Sequence, residues 1–257
     1  RGGPRILIPL IEMTHYQTYQ ILGLAKALQL RGAIIRILVC GEKLNGCEIK
    51  SSQSSQQDPC LECRHNSTLV LPNFGFQTVS LWELIGRKKS ETIKNTSVEI
   101  AKNYPSSYQY MGVDIIQMTD DSVERYFFGD VPKDNNKLLA EVRQKHLETS
   151  MICLEIAFKE VEIWKPDIIM GNMLVYSAWE PFYRVSKLKN IRFSLVSTTT
   201  FNYKAVVLNR NDLFFSQNRY ESWLAERKKK SLSKEETKKL EDFMFFRHSG
   251  RDRFFKD

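Results

Sequence analysis

A chain of 257 residues, 42% hydrophobic and 26% charged, carries enough apolar material for one large domain or a domain with a helical appendage. No apolar run approaches the roughly 18 residues of a membrane span, and no basic stretch leading into an apolar one marks a signal peptide; the expectation is a cytoplasmic protein. The net charge of +8 permits attraction to phosphates, nucleic acid or an anionic membrane face, but much of the excess sits in Arg87-Lys88-Lys89 and Arg227-Lys228-Lys229-Lys230, which read as solvated helix faces.

The chain opens at Arg1 without an initiator Met, so its start is read as a trimmed or fragment boundary. Arg5 to Leu10 is a short buried-strand signal, followed by a polar loop with Thr14 and His15. Ile21, Leu24, Ala25 and Leu28 then recur at helical spacing, and Gly32 supplies the left-handed stop. Ile34 to Cys40 reads as a second strand, which completes a βαβ unit with parallel strands. Residues from about 42 to 67 form a polar loop that holds three of the five cysteines. Asn66-Ser67-Thr68 and Asn95-Thr96-Ser97 match the glycosylation sequon, a pattern too short to outweigh the cytoplasmic reading. Thr68 to Pro72 is predicted as a strand, and a helical stretch begins within Val79 to Ile85 and turns polar and basic through residue 103.

Ser122 to Phe127 predicts a short helix, and the strongest helix follows Asp134 as its N-cap. Leu147, Met151, Leu154, Phe158 and Val161 place one stripe of it against a core, and Pro166 ends it. Asp167 to Met170 is the next strand, Trp179 to Leu188 a helix and Ile191 to Val196 another strand. The alternation predicts an α/β fold, a Rossmann-like, open and mostly parallel sheet with its first strand near the centre and helices on both faces. From Ser216 the period is helical, with a capping box from Ser233 to Glu236 and a stop at Gly250. The expected division is residues 1–215 as the Rossmann-like domain and 216–257 as a helical extension and linker.

His15, Leu24-Ala25-Lys26-Ala27-Leu28, Arg31-Gly32 and the strand Ile34 to Val39 together resemble the first βαβ of GT-B glycosyltransferases. Ser122 to Phe127, Lys165 to Met170, and Leu232-Ser233 with Glu235-Glu236 leading to Arg247 and Gly250 are similar to segments of bacterial capsular and surface-polysaccharide glycosyltransferases. The resemblance implies the N-terminal, acceptor-side half of a sugar transferase, inactive without a second domain that binds the nucleotide-sugar donor. It also implies a glycan or lipid-linked acceptor, peripheral association with the inner face of the membrane, and no nucleic-acid partner. The alternatives are a non-catalytic α/β module that binds a glycan or a protein, and half of a sugar-nucleotide epimerase.

Open α/β sheets place ligands beyond the carboxyl ends of their strands. That makes His15 the candidate catalytic base, against the alternative of a helix-start His bonded to backbone. Thr14, Asn172, Tyr176, Ser197, Thr198, Thr199 and Arg125 are the candidate acceptor-binding residues. Cys47, Cys60, Cys63 and His65 supply the soft ligands of a tetrahedral structural zinc; a disulfide or redox pair and unpaired thiols in a loop stay open beside it. No Gly-x-Gly-x-x-Gly and no Walker loop is present, so a dinucleotide or ATP site lacks its fingerprint.

Overall fold

The computed structural model describes residues 2–13, 16–42, 44–52, 60–133, 136–198, 206–210 and 231–248. The chain divides into two compact units, Arg1–Asp212 and Leu213–Asp257. The first is built on a six-stranded sheet. Its strands are β1 (Arg5–Pro9), β2 (Ile34–Val39), β3 (Gln77–Ser80), β6 (Ile168–Gly171), β7 (Arg192–Thr198) and β8 (Val206–Arg210), in the spatial order β3-β2-β1-β6-β7-β8. The first five run parallel, and β8 returns antiparallel along β7. The Rossmann-like α/β expectation therefore holds, with β1 inside the sheet.

Local chemistry explains the opening unit. Helix α1 (Tyr16–Leu30) ends where Ala33 N–H bonds back to Leu28 O and Gly32 N–H to Gln29 O, with Gly32 at φ +94°; this is the Schellman stop that glycine permits. Ile21, Leu22 and Ala25 of α1 are buried with Ile6, Ile8, Ile35 and Ile37, so α1 covers one face of the sheet. Alternation along a strand turns Arg36 to the other face, where its Nη2 donates to Glu160 Oε1 at 3.0 Å. The second contact of that pair, Nε to Oε2 at 3.0 Å, is too bent to count as a hydrogen bond.

Glu160 belongs to α6 (Lys137–Ile163), which packs against four helices: α3 (Leu81–Ile85), α4 (Arg87–Lys102), α5 (Ile116–Tyr126) and α7 (Glu180–Leu188). All five residues of its expected stripe are buried. Its cap is Asn136, whose side chain accepts from Leu138 N and Leu139 N; Asp134, the expected cap, lies outside the described residues. The loop after β2 touches this helix at Gly46, where a Cβ would sit 2.6 Å from Lys145 O. Thr149 Oγ1 seals the approach, accepting from Gly46 N and donating to Gly46 O.

One expected strand is replaced, and further strands appear that the sequence did not announce. Thr68 to Pro72 is not a strand: α2 (Cys60–His65) runs into a π-helical turn (Asn66–Val70) and a 3-10 turn (Leu71–Phe74). Ser67 and Thr68 hydroxyls bond back to Arg64 O, and such local bonding competes with strand formation. A small hairpin, β4 (Gln109–Tyr110) with β5 (Val113–Asp114), turns through Met111 and Gly112, both at positive φ. Strands β3 and β8 are further additions. In the second unit, α8 (Lys234–His248) opens with the expected box: Ser233 N–H donates to Glu236 Oε2 and Glu236 N–H to Ser233 Oγ. No helix among the described residues is long and apolar enough to cross a membrane.

Candidate ligand site at the carboxyl edge of the sheet

The strand order reverses direction between β1 and β6, and in open α/β sheets ligands bind outside the strand ends at such a switch point. The loops after β1 and β6 flank it. Thr14 and His15 follow β1 but lie outside the described residues. The preceding Met13 is held from two sides. Its N–H donates to Cys63 Sγ at 3.4 Å, and its carbonyl accepts from Asn66 Nδ2. Tyr19 O–H donates to Asn66 Oδ1 at 3.0 Å, which fixes the amide. The segment expected as a cysteine-bearing loop thus clamps the end of β1.

Beneath the clamp a cavity of about 40 Å³ is lined by Leu10, Met13, Cys40, Cys47, Cys60 and Cys63, among others. That volume is of the order of one water molecule. His65, at the end of α2, is exposed and outside the lining. Burial pushes the Cys63 thiol up to about 11 and raises Cys47 as well; both are protonated at neutral pH. No disulfide joins the five cysteines. Among the described residues no group of three or more His, Cys, Asp or Glu is placed to hold a metal ion, so Cys47, Cys60, Cys63 and His65 do not converge as a ligand set here.

The loop after β6 carries the two candidates that the structure distinguishes. Asn172 follows the last residue of β6, and its Oδ1 is buried with no hydrogen-bond partner among the described residues. Tyr176 adopts φ +77°, a region costly for a residue with a Cβ and concentrated at functional sites. Its carbonyl accepts from Glu180 N at 3.0 Å, starting α7.

What holds Tyr176 there is a buried polar network. Ser177 N–H donates to Ser122 Oγ at 2.8 Å, the Ser177 hydroxyl donates to Glu48 Oε1 at 2.7 Å, and the one Ser122 hydroxyl proton is shared between Glu48 Oε1 and Met118 O, each at 3.0 Å. His146 Nδ1 lies 2.8 Å from Ser177 Oγ. Since the one Ser177 hydroxyl proton points to Glu48, the ring must be the donor, which assigns the Nδ1–H tautomer. His146 Nδ1 and Glu48 Oε1 are 3.8 Å apart. They are not an ion pair, because burial, aided by Lys145, lowers His146 to about 4 and keeps the ring neutral. Burial also raises the Glu48 carboxyl, against the hydrogen bonds from Ser177 and Ser122. The arrangement resembles a Ser-His-acid triad in composition only. The hydroxyl proton runs to the acid rather than the imidazole, and Ser177 has no exposed surface. It positions the loop and activates no nucleophile.

The other candidates are more scattered. Arg125 sits in the last turn of α5, its guanidinium over the Phe128 ring at 5.7 Å. Ser197 and Thr198, expected in a loop, are the last two residues of β7, paired with Val207 and Val206; Thr199 lies outside the described residues. Sequence reasoning missed Glu48, Ser122, His146 and Ser177. The available signal was His146 and Glu148-Thr149-Ser150 standing within an apolar helix, because buried polar groups require partners.

No family model matches the chain, and no curated protein does. It is similar to the crystal structure of a tyrosyl-tRNA synthetase from Archaeoglobus fulgidus in complex with L-tyrosine, at 12% identity and a TM-score of 0.38, over 74% of this chain and 51% of the synthetase. It therefore spans about half the length of that enzyme. A CDPS from Fluoribacter dumoffii matches at 12% identity and TM-score 0.43, over 74% of this chain and 87% of the other. AlbC, a cyclodipeptide synthase from Streptomyces noursei, matches at 12% identity and TM-score 0.37, over 66% and 82%. These likenesses concern the course of the chain.

The similar structures are a tRNA synthetase and cyclodipeptide synthases, which corrects the expected identity. Membership of the GT-B glycosyltransferases is overturned. So are a role in capsular polysaccharide synthesis, the epimerase alternative, and the partner set of a glycan or lipid-linked acceptor without nucleic acid. The physical reason is that the segments behind the resemblance do structural work. Leu24 to Gly32 is a packed helix and its stop. In Lys165 to Met170, Asp167 ties β6 to β1, its Oδ2 accepting from Arg5 N at 2.7 Å and its N–H donating to Arg5 O. Ser122 serves the buried network, and Ser233 with Glu236 caps α8.

Proposed function

We propose that this domain binds a small polar ligand at the carboxyl edge of the sheet beside the loop after β6, with Asn172 Oδ1, closed to solvent in the free protein, turning to receive an N–H or O–H of that ligand. The observation that carries the reading is a buried acceptor without a partner among the described residues, at the switch point of the sheet. An unsatisfied buried acceptor costs about 1–3 kcal/mol, and a ligand donor recovers it. The strained Tyr176 and the network that fixes Ser177 supply a rigid wall. The net charge of +8 favours a ligand carrying negative charge. A reducing, cytoplasmic setting suits the thiols on the neighbouring loops.

The test is Asn172→Leu, which keeps the side-chain size and removes the acceptor. Nucleoside phosphates and free amino acids are screened against wild type and variant by saturation-transfer NMR, and hits are titrated by calorimetry. The variant should bind the hit about tenfold more weakly, the scale of one hydrogen bond. Its ligand-free form should be more stable by about 1 kcal/mol. A variant that is less stable, or that binds equally well, refutes the assignment.

A further inference from the structure

We propose that Cys60 and Cys63 form a redox-active dithiol, which closes to a disulfide by exchange with a low-molecular-weight disulfide such as oxidised glutathione. The two thiols stand three residues apart at the start of α2, both partly exposed. At that spacing Cβ atoms lie about 5–6 Å apart, against about 4 Å in a disulfide, so the turn tightens by about 1–2 Å. The backbone there is already irregular: α2 passes without a break into a π-helical turn and then a 3-10 turn. Departures of this kind mark helical segments that adjust. No third His, Cys, Asp or Glu among the described residues is placed with the pair to hold a metal ion, so the chemistry on offer is that of two sulfurs.

The two sulfurs differ in role. Both line the cavity, and Cys63 accepts the Met13 N–H; its partial burial keeps it a thiol, a weak first nucleophile. Cys60 therefore opens the exchange. Its thiolate, having lost a proton to water, attacks one sulfur of oxidised glutathione. The S–S bond breaks, one glutathione thiolate leaves, and a mixed disulfide forms at Cys60. Cys63 then gives up its proton and attacks the Cys60 sulfur, expelling the second glutathione. Two electrons pass to the oxidant, which departs as two glutathione molecules carrying the two protons. Closure draws Cys63 away from Met13 and so loosens the clamp on the loop after β1.

The full chain, reduced and then equilibrated with oxidised glutathione, is alkylated and mapped by mass spectrometry, with amide hydrogen exchange followed in parallel. With the sample quenched in acid and unfolded before alkylation, labelling of Cys60 and Cys63 should fall by at least about tenfold as the pair oxidises, while Cys40, Cys47 and Cys153 stay fully labelled; in the native protein, exchange at Met13 accelerates. Cys63→Ser should stall as a glutathione adduct on Cys60. Cys60→Ser should leave Cys63 a thiol and Met13 exchange unchanged. Full alkylation of the pair in the wild type overturns the proposal. So does a disulfide that joins Cys40 or Cys47 instead, or stoichiometric zinc that protects both thiols.

Discussion

Ser177→Ala asks whether the buried network, rather than local sequence, fixes the loop between β6 and α7. The hydroxyl accepts from His146 Nδ1 at 2.8 Å and donates to Glu48 Oε1 at 2.7 Å, and none of the three residues is more than 5% exposed. Its removal strands the imidazole N–H and takes one of two hydroxyl donors from Glu48, which keeps Ser122. A buried group left unsatisfied costs about 1–3 kcal/mol; with Glu48 only partly deprived, the expected loss is about 2–4 kcal/mol. For a domain of this size 1 kcal/mol moves Tm by about 2–4 °C, so Tm should fall by about 5–15 °C. Urea unfolding of Ser177→Ala, Ser122→Ala and the double variant completes the measurement. Because both hydroxyls serve one carboxyl oxygen, the two losses should depart from additivity by about 1 kcal/mol. A single-variant loss within about 0.5 kcal/mol, or strict additivity, would refute this reasoning.

The same network predicts a pH dependence with two limbs. His146 sits at about 4 in the folded protein against 6.5 when exposed, so below pH 6.5 the unfolded chain takes up the proton first. Stability present above that pH should drain away by about 3 kcal/mol as pH falls towards 4, and urea midpoints of His146→Gln should show that limb flattened. Glu48 has the opposite sign: with its carboxyl held above the ordinary 4.5, the unfolded chain releases its proton first, and its contribution declines as pH rises. Glu48→Gln should remove that decline in the same titration. At Gly46, where a new Cβ would lie 2.6 Å from Lys145 O and 2.9 Å from His146 Cα, Gly46→Ala should lower the urea midpoint by about 1–3 kcal/mol equivalent; an unchanged midpoint would mean the loop yields freely. Asn136→Ala should cost about 1 kcal/mol through its cap on α6, and a neutral result would place the start of that helix elsewhere.

The sheet was legible wherever one local rule decided an element. Ile21 to Gly32 announced a helix and its stop, and Ser233 with Glu236 announced a cap. Residues 60 to 74 were not legible, because Thr68-Leu69-Val70-Leu71 has strand-like composition while its conformation follows from a long-range clamp, Cys63 and Asn66 on Met13. Leu69 is 60% exposed and Leu71 1%, the outcome of helical rather than extended backbone. The network was out of reach for a related reason: Glu48, Ser122, His146 and Ser177 come from four separate stretches, and nothing in any one shows the other three. Asn172 could be named from topology, since its place after a parallel strand follows from order alone. Its unsatisfied oxygen depends on neighbours that order does not name. The family resemblance failed where a packed helix, its stop and its cap stood in for chemistry.

The pairing of β1 has a consequence for how the protein is made. One side of β1 joins β2, close in sequence, but the other joins β6, with Ile6 set against Ile168 and Leu7 against Ile169. A ribosome adding about 5–20 residues each second needs roughly 7 to 25 seconds to travel from the end of β2 to the start of β6. Throughout that interval the apolar first strand keeps one open hydrogen-bonding edge, the feature by which nascent chains pair with each other. Slow decoding or crowding on the message should therefore harm yield through residues 40 to 168 more than through any later stretch, and a chaperone that covers a free strand edge should matter most before β6 emerges.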